Sequence, residues 1–293
     1  MQRTRFGEPL MGGGEQRERR EMGQARDGGA PPAFAGKPLR DVVVPAADLW
    51  HQDELGNAVI AEYTERVRAD FEENPFLKVY RVAAGIVHGS NPFAAVLVDM
   101  IVRPQARIAT PPDLQIILNS RRKVADPVHV RGGYKDAAFV LRSVKEPNSY
   151  LAESFAEQLD PKMEWPVVIY LSGLELVKDR QSPCGLNFKF TSETRAFHAP
   201  VLSQKSGHFS NDVVDPATGL PARIEGTGRY FYGMEEGLAR LYVGRGSSID
   251  TIWEELGNSQ VDGRTVIVNN AVPPDKVAEY TTRLDAALEL LED

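Results

Sequence analysis

The chain has 293 residues, 42% of them hydrophobic and 26% charged, with a formal net charge of -7 at pH 7. That is enough apolar material for a self-sufficient core, and it excludes global disorder. The acidic balance argues against a protein that wraps nucleic acid, which needs a basic surface. The single cysteine excludes an intramolecular disulfide and a multi-cysteine zinc site.

Residues 1–33 hold six arginines, five acidic residues and seven glycines. Ordering such a stretch costs backbone entropy and buries little in return. It is read as a flexible N-terminal tail, with 34–293 forming one mixed α+β domain. No apolar block follows Arg3 and Arg5, and no later run approaches the ~18 apolar residues of a membrane span. A soluble, cytoplasmic protein with no membrane partner is expected.

A short strand is expected over 39–44, stopped by Pro45. Val59, Tyr63, Val67 and Phe71 recur every four residues, which predicts a helix ended by Asn74-Pro75. Residues 76–87 and 93–102 read as two strands, and the polar turn at 88–92 between them suggests an antiparallel hairpin. Leu114, Ile116 and Leu118 alternate with their neighbours as in a strand. The stretch from 121 to 135 is basic and loop-like, and 137–144 reads as a strand again. A helix is predicted over 149–159, where Leu151, Phe155 and Leu159 share a face. The unbroken apolar run at 166–171 predicts a central strand buried on both sides.

Beyond residue 174 the chain turns β-rich. Leu186, Phe188 and Phe190 alternate with Asn187, Lys189 and Thr191, giving one buried and one wet face. Further strands are expected over 196–202, 229–232 and 238–243, the last two joined as a tight hairpin through Glu235-Glu236-Gly237. Ile249, Ile252, Trp253 and Leu256 fall at helical spacing behind Ser248 as a cap. A strand over 264–269 then completes a strand–helix–strand crossover with 238–243. A last amphipathic helix over 275–292 presents Val277, Leu284, Leu288 and Leu291, a face that packs onto the main body or an identical partner. Short connections throughout favour an α+β class, predominantly antiparallel β structure with four or five peripheral helices.

The P-loop, the dinucleotide-binding glycine fingerprint, the Gly-x-Ser-x-Gly elbow and the HExxH helix are all missing. What remains is scattered. His198, His208 and Asp212, with Asp215 nearby, offer nitrogen and oxygen donors for a divalent metal. Cys184 would need a histidine base to act as a nucleophile. Asp99, Asp179, Glu193, Asp212, Asp215 and Glu225 supply carboxylates whose separation in space is open. Arg121, Arg122, Lys123, His129, Arg131, Tyr134 and Lys135 form a basic stretch that could grip phosphate locally. Tyr230, Phe231, Tyr232 and Tyr242 form an aromatic group, with Phe231 and Tyr242 expected in the core.

No catalytic or cofactor-binding residue is assigned, and neither a cofactor nor a structural metal is expected. The reading that follows is a soluble, non-catalytic protein-binding or self-assembly module. Its partner would be another protein or a homo-oligomer copy, with nucleic acid disfavoured. The alternative is a small-molecule hydrolase with a metal-dependent site near His198, His208 and Asp212.

Overall fold

A computed structural model describes residues 54–78, 80–81, 87–88, 91–103, 106–119, 133–244, 248–259 and 263–269. The tail expected over 1–33, the strand over 39–44, the basic residues from 121 to 131 and the helix over 275–292 lie outside the described residues.

Helix α1 (Glu54–Ala69) forms where the four-residue spacing places it. Its Tyr63 is buried and donates its hydroxyl to the Leu77 carbonyl at 2.7 Å. Glu62–Arg66 and Glu65–Arg68 pairs line the wet side. The long strand expected over 76–87 is not formed. A 3-10 turn occupies Pro75–Leu77, and among the described residues β1 (Tyr80–Arg81) and β2 (Val87–His88) pair, antiparallel to each other.

The 88–92 hairpin is also absent, because residues 93–102 belong to helix α2 (Pro92–Val102). Asn91 caps it by accepting the Ala94 N–H at 2.9 Å, and Pro92 fills the first turn, where no N–H is needed. Residues Phe93, Ala94, Ala95, Val96, Leu97 and Val98 are all buried. A helix enclosed on every side has no polar face, so its sequence shows no 3.6-residue period. The alternation at 114–118 is likewise misleading. After β3 (Ala106–Ile108), helix α3 (Pro111–Asn119) is started by Asp113, whose carboxylate accepts both the N–H and the hydroxyl of Thr110.

The rest of the chain supplies β4 (Tyr134–Leu141), α4 (Ser149–Gln158), β5 (Val167–Tyr170), β6 (Leu174–Lys178), β7 (Leu186–Phe190), β8 (Ala196–His198) and β9 (Gly207–Phe209). Then follow β10 (Arg229–Tyr232), β11 (Leu238–Val243), β12 (Ile249–Trp253), β13 (Gly263–Arg264) and β14 (Ile267–Asn269). The main sheet runs β8-β5-β4-β11-β12-β10-β9, with β13 added beside the start of β4. The pairs β10–β12 and β4–β13 are parallel and the others antiparallel. β6 pairs with β7, and β3 with β14, in separate ribbons. The α+β class with dominant antiparallel pairing thus holds.

Three expectations fail in the second half. Residues 249–253 are a strand, so the crossover helix does not form. β12 lies between β10 and β11, so the turn at Glu235-Glu236-Gly237 joins strands that are not neighbours. The strand expected over 264–269 is split between β13 and β14, which enter different sheets.

The sheet divides the core in two. Phe139, Leu141, Val167 and Ile169 face one side with α2, α4 and the β6–β7 hairpin. Ala138, Val140, Val168, Tyr170, Leu241 and Val243 face the other, against Leu114 of α3 and the connection carrying Val201, Leu202 and Leu220. This two-sided burial is what the unbroken apolar run of β5 foretells. Asp99, fully buried on α2, ties the first layer to the sheet by accepting N–H groups of Ile108 at 2.8 Å and Gly173 at 3.0 Å. Gly173 is required there: its φ is +88°, and an added Cβ would lie 2.6 Å from the Glu193 carbonyl oxygen.

Candidate functional site

The helix-covered face of the sheet has a second half, where β4, β11, β12, β10 and β9 carry polar and aromatic residues. Two bulges build it. Ala138 pairs with Leu241 but Asp136 with Tyr242, so Ala137 is an extra residue in β4. Asp250 pairs with Tyr242 but Trp253 with Arg240, so β12 also carries one residue more than β11 over that span. Each extra residue reverses the alternation beyond it. Asp136 and Trp253 are thereby brought to the side of Arg240 and Tyr242.

Arg240 lies at the centre, 2% exposed. Its Nε and Nη2 donate to the two carboxylate oxygens of Asp136 at 2.7 and 2.9 Å, and Nη1 donates to the Asn258 carbonyl at 2.7 Å. The guanidinium carbon stands 4.9 Å from the Tyr134 ring centre and 5.6 Å from that of Tyr242. Burial alone would lower the pKa of Arg240, but the Asp136 carboxylate reverses the effect and the group stays protonated. Tyr242 donates its hydroxyl to Asp250 at 2.9 Å, and burial pushes this phenol up. Burial also raises Asp250 above the ordinary carboxylate range, against the lowering effects of the Ile252 N–H, Tyr242 and Arg240.

Tyr134, Arg240, Tyr242, Trp253 and Asn258 enclose a recess of about 20 Å³, room for about one water molecule. Arg240 is already held by Asp136 and Asn258, and the Tyr242 hydroxyl is held by Asp250. At that size the recess is too small to receive an organic substrate.

Next to it the same face opens to solvent. His208, Tyr230 and Tyr232 form a ladder, with ring centres 4.9 Å apart for His208–Tyr230 and 4.6 Å for Tyr230–Tyr232. Tyr232 is 38% exposed. It pairs with Asp250, which in turn pairs with Tyr242, so all three share this face.

The histidine–carboxylate site is overturned. His198 lies on β8 and His208 on β9, the first and last strands of the sheet order. His198 is engaged with Glu164, its Nδ1 standing 3.0 Å from the Glu164 carbonyl oxygen. Asp212 falls in the 3-10 turn Asn211–Val213, and its side chain lies outside the described residues. Among the described residues no group of three or more His, Cys, Asp or Glu side chains could hold a metal. Cys184 stands 3.2 Å from the Ser182 hydroxyl and donates to the Leu186 carbonyl, and burial pushes its thiol up, away from the reactive thiolate.

Among the described residues the candidate carboxylates are engaged in separate turns and ion pairs, Asp99 and Glu193 sharing Arg103 at 3.1 and 3.4 Å. Asp179 accepts from Tyr150, Gln181 and Asn187 in the β6–β7 turn. Asp215 accepts from Ala217 and Thr218 in its own turn. Glu193 pairs with Arg103, and Glu225 with Arg223. Of the basic stretch, Tyr134 and Lys135 belong to β4 and are buried, which corrects the reading of a loop reaching residue 135. Phe231 is in the core as expected, whereas Tyr242 is half-buried at the recess.

Sequence reasoning passed over Arg240, Asp136, Asp250, Trp253 and Asn258. One signal was present: an arginine inside the apolar strand of 238–243, at a position where alternation points to the same side as Leu238. No family model, no curated protein and no solved structure matches this chain. No helix among the described residues is long and apolar enough to cross a membrane.

Proposed function

We propose that this chain is a non-catalytic binding module whose contact surface is the aromatic half of the main sheet. The observation that carries this reading is the His208–Tyr230–Tyr232 ladder, with Tyr232 38% exposed, on a sheet face whose other half is covered by helices. A sheet face left open with large apolar groups is a place where association removes apolar surface from water. The adjoining recess supports the same reading, because its charged and phenolic groups are bonded to one another.

Site-specific photo-crosslinking tests it. A benzophenone amino acid is placed at position 232 and, as a control, in place of Val144, which is 40% exposed elsewhere. In the cells that make the protein, position 232 should give one discrete adduct, identified by mass spectrometry, that position 144 does not. No adduct at position 232 would remove the reading.

A further inference from the structure

We infer that the partner on this face is a basic segment of another protein, and that the recess beside the aromatic ladder receives the ammonium head of one of its lysines. The inference rests on the binding-module reading above and names the chemistry of the partner.

Size is the first argument. The recess lined by Tyr134, Arg240, Tyr242, Trp253 and Asn258 measures about 20 Å³. Tyr242, Trp253 and Asn258 are half-buried, so the recess meets solvent along that side. Space for about one water molecule also suits an ammonium, a compact point charge on a slender four-carbon stem. A planar guanidinium or a trimethylated ammonium is too wide. The recess therefore takes the end of a side chain and nothing larger.

The walls are the second argument. Three of the five lining residues are aromatic, with ring centres 5.2 Å apart for Tyr134–Tyr242 and 6.4 Å for Tyr242–Trp253. Aromatic faces attract a cation within about 6 Å, tryptophan most strongly. Acceptors stand among them. Tyr242 gives its proton to Asp250 at 2.9 Å, so its oxygen is left to accept. Asn258 gives its amide nitrogen to Glu255 at 3.0 Å, so its Oδ1 is the acceptor end.

Charge is the third argument. Arg240 is a cation in the wall, but Asp136 matches it at 2.7 and 2.9 Å. Beyond that neutral pair the recess is flanked by carboxylates. Asp250 stands behind Tyr242, and the exposed Glu255 is held on Asn258, with Glu254 next to it in the chain. The whole chain carries a formal net charge of -7, which draws a basic partner at long range and repels a second copy.

The test is a two-dimensional NMR titration of the full chain with three synthetic peptides of six lysines, six arginines or six trimethyl-lysines. The three carry equal charge, so a difference among them reports the size of the head. The six-lysine peptide should shift the Trp253 indole N–H and the Asn258 side-chain amide saturably, and the other two should shift them far less. Trp253→Leu should weaken the six-lysine peptide about three- to tenfold. Glu255→Gln should weaken it about two- to fivefold. Glu72→Gln, which removes an exposed carboxylate paired with Lys178, should leave it unchanged. Thermal midpoints equal to the wild type establish that the variants fold, and Trp253→Phe replaces Trp253→Leu if that variant does not.

Equal shifts of Trp253 by all three peptides would overturn the inference, as would a six-lysine peptide that spares Trp253 and Asn258. Equal weakening by Glu255→Gln and Glu72→Gln would do the same, because attraction would then belong to the whole acidic surface. If position 232 cross-links a protein in cells but the peptides do not discriminate, the lysine inference fails and the binding module stands. If position 232 cross-links nothing, the module reading itself fails.

Discussion

Arg240 and Asp136 meet in a two-pronged ion pair, at 2.7 and 2.9 Å, inside a sheet where strict alternation would have placed them on opposite faces. The extra residue Ala137 in β4 is what makes the pair. The guanidinium then becomes the floor on which Tyr134, Tyr242 and Trp253 gather. The same face carries the His208–Tyr230–Tyr232 ladder.

Removing one member of that pair should be far worse than removing both. Asp136→Ala leaves a buried guanidinium without its carboxylate and should cost about 3–5 kcal/mol in equilibrium urea unfolding. The double substitution Asp136→Leu with Arg240→Met should be markedly more stable than Asp136→Ala alone, since no charge is stranded. Equal losses in the two proteins would show that the pair is not the source of the cost.

Asp250 should make stability pH-dependent. Its folded-state pKa is raised chiefly by burial. Its contribution is therefore fully present below the ordinary carboxylate range near pH ~4 and is lost as pH rises through its raised folded value. Asp250→Asn has no such proton to lose. Measured by urea unfolding at pH 4 and pH 7, the wild type should lose ground to this variant as pH increases. A gap moving the other way would mean that Tyr242 and the Ile252 N–H stabilise the carboxylate more than burial penalises it.

Phe188 should be the most costly aromatic to truncate. Its ring centre lies 5.0 Å from that of Phe93, 4.9 Å from Phe139 and 5.8 Å from Phe155, joining α2, β4 and α4 through one side chain. Phe188→Ala should destabilise by about 3–5 kcal/mol. Guanidinium unfolding would read it, and a loss below about 1 kcal/mol would show that α2 and α4 close the space by moving together.

Asn91 caps α2 and also donates to the Phe76 carbonyl and the Ser259 hydroxyl, both at 2.8 Å. Asn91→Ala removes the cap, worth about 1 kcal/mol, and strands buried acceptors at about 1–3 kcal/mol. Native-state hydrogen exchange should show faster exchange at Ala94 and at the start of α2. Unchanged protection there would contradict the capping role.

The elements legible in the sequence are those with one wet and one buried side. Tyr63 and Val67 announce α1, Leu151 and Phe155 announce α4, and Leu186, Phe188 and Phe190 announce β7, because water on one side leaves polar residues at a regular spacing. The sequence by itself determined these, together with the apolar run of β5 and the antiparallel-dominated α+β class. Tertiary structure alone decided the rest. Helix α2 is buried all round, so burial erased the polar half of its pattern, and only Asn91-Pro92 marked its start. Strand β12 contains an extra residue, which turned a two-residue alternation into the apparent helical spacing of Ile249, Ile252, Trp253 and Leu256. The Arg240–Asp136 pair was hidden for the same reason. Its partners lie 104 residues apart, and which face each occupies depends on a bulge that only the pairing of β4 with β11 creates.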